Sequence, residues 1–343
     1  MDGLRKNGVE SLAIPHNSNI SGGAAFPLTY YNGDPIDEDY AVQRANNEPL
    51  VEVTQAKGTS EAHPLLSKND EWASFEIPVE KQAKLLENAK GSYVRDAYLR
   101  GLSLSKKGIT NPYKFGLTAA SDTHVAGGSY SEETFFSKIG VLDGTPELRG
   151  SVPFNWILAK AAKIFRPEAF AEINGKDYLA FSERLIGFSA SGLTGVWAKE
   201  NTREEIYDAF RRKETFATSG PRIKIRFFSG YEFEDSDLKD LNLLETAYSN
   251  NLSMGSTINI EEGKEPRFFV WAISDPLGAP LQRVQIIKGW LEDGLQKEKV
   301  FDVACSEGLT VDPLTNRCPD NEARVNLTAV SYTHLTLPTT KQV

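Results

Sequence analysis

The segment GLTAASDTHVAGG, at 116–128, most strongly constrains this chain, because an apolar, strand-like run ends there in an Asp-x-His pair and a glycine-rich loop. Side chains two residues apart in an extended backbone point to the same side, so Asp122 and His124 are predicted to face a common point. Many hydrolases present metal ligands and catalytic groups in this way. The alternative is a polar strand end, in which Asp122 and Thr123 cap the next helix.

Two further strand-like segments lead into polar residues in the same way. One is SLAIPHN, which runs into a loop rich in Ser, Asn and Gly; the other is PLVEVTQ, which is followed by the loop AKGTSEAHP. The candidate residues of these two segments are His16, Asn17, Glu52, Glu61 and His63. Ligands at the carboxyl ends of parallel strands are typical of α/β-barrel active sites, and His with Asp or Glu suits Zn, Mn or Fe. The three segments together therefore favour a metal site over three unrelated surface or core histidines.

Composition and charge limit the class of protein. The chain has 343 residues, of which 40% are hydrophobic and 10% aromatic, which is enough to build a core and suggests two domains. The net charge of −9 and the lack of a Lys/Arg cluster argue against nucleic-acid binding, because attraction to phosphates needs a basic surface. No apolar run approaches the roughly 20 residues of a membrane helix, so we expect no membrane span.

Both ends of the sequence look unusual. The start, MDGLRKNGVESLAIPHN, reads as a helix end that runs directly into a buried strand, so we expect the natural N-terminus to be missing. The last segment, 330–343, is Thr-rich and differs from the acidic sequence before it, so we expect a non-native tail there. Outside this tail, the only histidines are His16, His63 and His124.

Four motifs carry a resemblance to a known family. AIPHN, EPLVEVTQAKGTSEAHPLLS, GLTAASDTHVAGG and GLTGVWAKENTREEIYDAFRRKETFATSGPRI resemble a large, mainly bacterial family of domains of unknown function. That family is similar to the PHP superfamily, named from polymerase and histidinol phosphatase. The resemblance implies an α/β fold, a distorted (β/α)7 barrel that binds two or three divalent metal ions at the carboxyl ends of its strands. It also implies phosphoester hydrolysis.

The resemblance assigns roles to individual residues. Asp122 and His124 match the closing Asp-x-His motif of the superfamily, and His16 matches an earlier strand that ends in histidine. The opening His-x-His motif has no match, so we expect only a partial barrel that lacks its first strands and binds metal weakly. His63 is predicted as a further ligand. The residues predicted to contact substrate, or to support the metal ligands, are Asn17, Glu52, Glu61, Ser219 and Arg222.

The segment NTREEIYDAFRRKETFATSG predicts a helix followed by a turn. Asn201 or Thr202 caps the helix, acidic residues lie in its first turn and basic residues lie near its end. In the resembling family the turn at Ser219 and Gly220 faces the rim of the active site, where Arg222 could meet an anionic substrate. A tight structural turn is the alternative.

The sequence changes character after residue 222. Alternating apolar and aromatic runs separated by Gly, Pro and Asp turns predict a small antiparallel domain similar to a β-sandwich. We therefore expect three parts. These are the partial PHP-like metal-binding barrel at 1–222, the β-rich domain at 223–329 and the tail at 330–343.

Cys305 and Cys318 are the only cysteines, and they enclose a segment rich in turn-forming residues. A zinc site would need histidine nearby, and none is present in that segment, so we predict a disulfide. Disulfides persist in oxidising compartments, and the pair therefore favours a periplasmic or secreted protein.

Two classes of function follow from these observations. The first is a metal-dependent hydrolase, a phosphoesterase that uses Mn, Zn or Fe and metal-activated water on a small anionic substrate. The second is a non-catalytic binding or assembly protein, in which the barrel has degenerated and the β-rich domain carries recognition. The sequence leaves both open.

Overall fold

The computed structural model describes residues 1–77, 86–122, 124, 145–148, 150–179, 191–231, 233–234, 242–250, 252–323, 325–326 and 331–332. The described helices are α1 (Asp2–Lys6), α2 (Glu38–Asn47), α3 (Leu86–Ala89), α4 (Val94–Lys106), α5 (Trp156–Lys163), α6 (Arg203–Arg212) and α7 (Leu243–Asn250). The described strands are β1 (Leu50–Gln55), β2 (Gly58–Thr59), β3 (Gly116–Ala119), β4 (Phe170–Ile173), β5 (Lys176–Leu179), β6 (Gly192–Val196), β7 (Thr215–Ser219), β8 (Lys224–Gly230), β9 (Leu252–Ser253), β10 (Arg267–Ile273), β11 (Arg283–Glu292), β12 (Leu295–Cys305), β13 (Val325–Asn326) and β14 (Ser331–Tyr332).

A hydrophobic core forms around β1 and α4. Every residue of β1 is buried, and α4 is amphipathic, with Val94, Ala97 and Leu104 on the face that packs inwards. Aromatic residues from the segments beside α2 and β3 complete this core and pack edge to face or tilted. The buried members of the core are Phe26, Ile36, Val51, Val53, Val94, Ala97, Leu104, Tyr113 and Phe115.

The predicted (β/α)7 barrel is wrong. Among the described strands only β1 and β3 pair in parallel, and the other pairings form small antiparallel sheets that do not close. The reason lies at the end of β1, where Ala56 and Lys57 alone separate it from β2. So short a turn forces an antiparallel neighbour, because a parallel one needs a crossover of a dozen or more residues. β2 thus occupies the edge of β1 that a closed parallel barrel would need.

The predicted β-sandwich is also wrong. In the described part of the C-terminal region, β10, β8 and β9 form one antiparallel sheet, while β11 and β12 form a separate hairpin. This hairpin packs against α4 instead of a second sheet, and Gly289 allows the close approach. A Cβ atom at that position would lie 2.9 Å from the Leu99 side chain. The sheet of β8 packs with α7 around Phe228 and Phe269.

The predicted disulfide is confirmed. Cys305, at the end of β12, is bonded to Cys318, with 5.6 Å between the Cα atoms. None of the described helices combines the length and apolar character needed to cross a membrane. The predicted domain limits stay predictions, and most of the predicted tail at 330–343 lies outside the described residues.

Candidate functional site

Several candidate residues meet at one edge of the first sheet. Because β1 and β3 are parallel neighbours, their carboxyl ends lie side by side, and Lys57 follows one end while Asp122 follows the other. His16 reaches this edge from an earlier loop, in which the Pro15 carbonyl accepts a 3.1 Å hydrogen bond from the Glu52 N–H. Strand direction and one backbone hydrogen bond thus bring three distant segments together.

The His16 ring is oriented by two side chains. Its Nδ1 lies 2.9 Å from Glu52 Oε1, and its Nε2 lies 2.7 Å from Asn17 Nδ2. A carboxylate accepts and an amide nitrogen donates, so these partners assign the proton to Nδ1 and leave the Nε2 lone pair as an acceptor. Nε2 also faces Asp122, 3.7 Å from Oδ1. His16 therefore directs Nε2 towards Asp122, and a metal could bind this nitrogen only in place of the Asn17 hydrogen bond.

Asp122 is the buried centre of this group. Its side chain is 6% exposed, whereas the His16 and His124 side chains are 45% and 44% exposed. His124 Nε2 lies 2.7 Å from Asp122 Oδ1, and the Lys57 ammonium forms an ion pair with Oδ2. A buried carboxylate is thus surrounded by one ammonium and by two imidazoles that solvent can reach.

These surroundings shift the pKa values of the two carboxyl groups in opposite directions. Burial alone would raise the pKa of Asp122, but the hydrogen bonds from Lys57 and His124 and the attraction of their charges together outweigh it and lower the pKa below its ordinary value. Burial raises the pKa of Glu52, and the nearby His16 offsets only part of that rise. Asp122 is therefore the carboxylate that stays ionised most readily.

Three of the candidate residues have left-handed backbone conformations. The φ angle is 53° at Asn17, 54° at Asp122 and 57° at His124. Positive φ is uncommon outside glycine, although Asn, Asp and His adopt it more often than other residues. Such conformations cost energy and cluster at functional sites. Asp122 and His124 thus meet through turned backbone, and not through the extended backbone that their spacing predicts.

Glu61 and His63 lie in the loop after β2 and contact other partners. His63 is buried, its ring centroid lies 5.1 Å from that of Tyr93, and its Nδ1 accepts a 3.2 Å hydrogen bond from a backbone N–H. Burial lowers the pKa of His63, which favours the neutral ring. Glu61 lies 3.6 Å from Arg95 Nη1. Within the described residues no hydrogen bond or ion pair joins either to Asp122, so both assigned roles stay predictions.

Ser219 and Arg222 flank the turn after β7. Ser219 pairs with Gly192, whose N–H donates a 2.9 Å hydrogen bond to the Ala120 carbonyl just beyond β3. The Arg222 N–H donates to Asp275 Oδ2 at 2.8 Å. The turn therefore lies beside the edge that carries the candidate site and is tied to the loop after β10. Contact with an anionic substrate stays a prediction for both residues.

The family model described as "Protein of unknown function (DUF3604)" matches residues 1–336. The chain belongs to the DUF3604 family. The match confirms the part of the resemblance that indicated a domain of unknown function. Neither the curated proteins nor the solved structures gave a match. The relation of DUF3604 to the PHP superfamily stays a prediction.

The residues around Asp122 in this DUF3604 member fit a divalent metal by their chemistry. His16 Nε2, His124 Nε2 and the Asp122 carboxylate are donors that Zn, Mn and Fe accept, and Glu52 orients His16 as carboxylates orient metal-bound histidines. Across the described part of the chain, however, no set of three or more His, Cys, Asp or Glu side chains forms an assembled metal site. The Lys57 ion pair occupies the carboxylate that a metal would use.

Lys57 is the residue that the sequence analysis missed. The only indication of Lys57 in the sequence was its position in the chain. It lies in the turn directly after β1, at the same strand end as the other candidates. A lysine in a polar loop such as AKGTSEAHP has no feature of its own that separates it from a solvated surface charge. Only the pairing of β1 with β3 reveals that it faces Asp122.

Proposed function

We propose that this chain carries active-site residues of a metal-dependent hydrolase that acts on small anionic substrates, phosphoesters above all. The observation that carries the proposal is the buried Asp122 carboxylate, with His16 Nε2 at 3.7 Å and His124 Nε2 at 2.7 Å from the same oxygen. The likeness of the AIPHN and SDTH motifs to the PHP superfamily supports the choice of phosphoesters. The proposed cofactors are Mn, Zn or Fe ions.

Each residue of the group has a distinct proposed role. Asp122, His124 and His16 would hold the metal, while Glu52 keeps the His16 proton on Nδ1 so that Nε2 remains a donor to the metal. When bound, a divalent metal supplies an activated water for attack at phosphorus. The His124 side chain is half exposed, so the proposed metal position is open to solvent.

The test compares metal binding and turnover in the same set of proteins. Wild type, Asp122→Asn and His124→Gln are titrated with Mn²⁺ and Zn²⁺ by calorimetry and then assayed on a phosphomonoester and a phosphodiester. We expect wild type to bind metal weakly and to turn over slowly, and we expect both variants to lose this metal binding and turnover while keeping their melting temperature. The matched control is Asp208→Asn, at an exposed position of α6. Unchanged metal binding in Asp122→Asn would contradict the proposal.

One observation favours the second class of function, a non-catalytic binding or assembly protein. The Lys57 ammonium neutralises Asp122 without a metal, as expected of a structural ion pair. In that case Lys57→Gln and Asp122→Asn would each lower the melting temperature. The melting temperature of the double variant would fall no further than that of either single variant. Wild type would also show no heat of metal binding. This combination of results would replace the hydrolase proposal.

The confirmed disulfide supports a proposed location. Disulfides form and persist in the periplasm and outside the cell, so we propose that the protein works in one of these compartments. Free-thiol labelling of protein taken directly from the native host checks this. Reduced Cys305 and Cys318 in freshly lysed cells would contradict it.

A further inference from the structure

The backbone at Lys57 is held on both sides by buried side chains. The Lys57 N–H donates a 2.6 Å hydrogen bond to Gln55 Oε1, and the Lys57 carbonyl accepts a 3.0 Å hydrogen bond from Asn19 Nδ2. Gln55 is 1% exposed and Asn19 is 4% exposed. Gly58 follows with a φ of 101°, a conformation that a residue with a side chain rarely adopts. The turn thus fixes where the Lys57 side chain starts, although the side chain itself is long and rotatable.

The partner of Lys57 is the carboxylate that a metal would use. The Asp122 side chain is 6% exposed, and a buried carboxylate without a counter-charge is costly. The Lys57 side chain is 27% exposed, so its ammonium has a path to solvent. The two histidine nitrogens face Asp122 Oδ1 and the ammonium binds Oδ2, so a divalent ion held by the histidines at Oδ1 would lie close to the ammonium and repel it.

We propose that Lys57 is an exchangeable cation, which neutralises Asp122 before metal binding and, once a divalent metal has displaced it, binds an oxyanion of the substrate. This inference rests on the proposed function. It adds a positioning and substrate-binding role for a residue that neither the motifs nor the family match assigns.

The geometry also supports the proposed binding of a substrate oxyanion by Lys57. The fixed turn keeps the start of the Lys57 side chain at the strand edge that carries Asp122, so a displaced ammonium stays within a side-chain length of the metal position. Lysine binds phosphate and carboxylate oxygens as a point charge. A small anionic group bound at the metal would attract the ammonium that the metal had repelled.

The experiment measures two affinities in three proteins. Wild type, Lys57→Gln and the matched control Lys68→Gln, at an exposed lysine of the next loop, are titrated with Mn²⁺ and then, with Mn²⁺ present, with inorganic phosphate. We expect Lys57→Gln to bind Mn²⁺ about tenfold more tightly, because its competitor is gone. We expect it to bind phosphate about 10- to 100-fold more weakly, the range for losing a hydrogen bond to a charged group. The control should match wild type in both.

A second measurement uses wild type alone, in case Lys57→Gln does not fold. Brief acetylation followed by peptide mass spectrometry reports how accessible the Lys57 amine is. Mn²⁺ should increase the labelling of Lys57, and phosphate added afterwards should decrease it. The labelling of Lys68 should stay unchanged in both steps.

The outcomes separate this inference from the proposed function. If wild type binds Mn²⁺ but Lys57→Gln matches it in both affinities, the Lys57 role is overturned while the metal site stands. If Mn²⁺ leaves the labelling of Lys57 unchanged, the exchange is overturned as well. If wild type binds no Mn²⁺, the proposed function and this inference fail together.

Discussion

His16 Nδ1 and Glu52 Oε1 lie 2.9 Å apart, although 36 residues separate the two in sequence. Glu52 belongs to a strand whose six residues are all buried, and its side chain is 9% exposed. Glu52 therefore points into the fold, and not outwards to solvent. Its carboxyl group fixes the His16 ring, and the His16 ring faces Asp122.

Replacing Glu52 tests whether this pairing matters for metal binding. In Glu52→Gln the amide can donate to His16 Nδ1, which favours the tautomer with its proton on Nε2. We expect metal affinity to fall about 10- to 100-fold, the range for losing a carboxylate behind a metal-bound histidine. Calorimetric titration with Mn²⁺ measures the change. Glu200→Gln, at an exposed loop position, is the control, and an equal loss there would contradict the assigned role.

Removing Arg95 should be costly, because it is a buried ion-pair residue. Its guanidinium binds Glu298 through Nε at 3.0 Å and Nη2 at 2.6 Å, and Nη1 binds Asp70 at 2.5 Å. The Arg95 side chain is only 8% exposed, so its loss leaves the Asp70 and Glu298 carboxylates, and the more distant Glu61 carboxylate, without their counter-charge. We expect Arg95→Met to lower the free energy of unfolding by about 3–5 kcal/mol in urea denaturation. Arg203→Met, at the exposed start of α6, should change it by less than about 0.5 kcal/mol.

The sequence predicted local features of the fold better than strand partners. The helix α6 begins after Thr202, whose side chain accepts a 3.3 Å hydrogen bond from the Glu205 N–H, and the sequence offered Asn201 or Thr202 as its cap. Turn residues around Cys305 and Cys318 indicated the disulfide. The prediction of a barrel was wrong because the sequence of an apolar strand with a polar end looks the same in a parallel and in an antiparallel sheet. The short turn at Lys57 decided the direction of β2.

The sequence likewise predicted some residues of the candidate site and missed others. Strand ends indicated His16, Asp122 and His124, and the structure brings these three together; their metal-binding roles stay predictions. Lys57 and the Glu52 pairing were not visible in the sequence, because both depend on which distant segment lies alongside β1. Similarly, no local pattern links Arg95 to Glu298, which lies 203 residues further along the chain.

Asp275 should make stability depend on pH in the acid range. Hydrogen bonds from the backbone N–H groups of Arg222 and Leu277 lower the pKa of Asp275 in the folded state. Its stabilising effect is therefore present above the unfolded pKa of about 4 and is lost as pH falls through the lower folded value. Asp275→Asn should melt below wild type at pH 7, and the gap should shrink towards pH 3. In Asp208→Asn, an exposed control on α6, no gap is expected at either pH.

The disulfide should stabilise the C-terminal region without affecting the candidate site. It closes a loop with a sequence separation of 13 residues, for which the chain-entropy model gives about 3 kcal/mol. We expect the double variant Cys305→Ser and Cys318→Ser to lose about that much in urea denaturation, and dithiothreitol to have the same effect on wild type. Mn²⁺ affinity of the still-folded double variant should match wild type, because both cysteines lie outside the strand edge that carries Asp122. A parallel loss of Mn²⁺ affinity would show that the two regions are coupled.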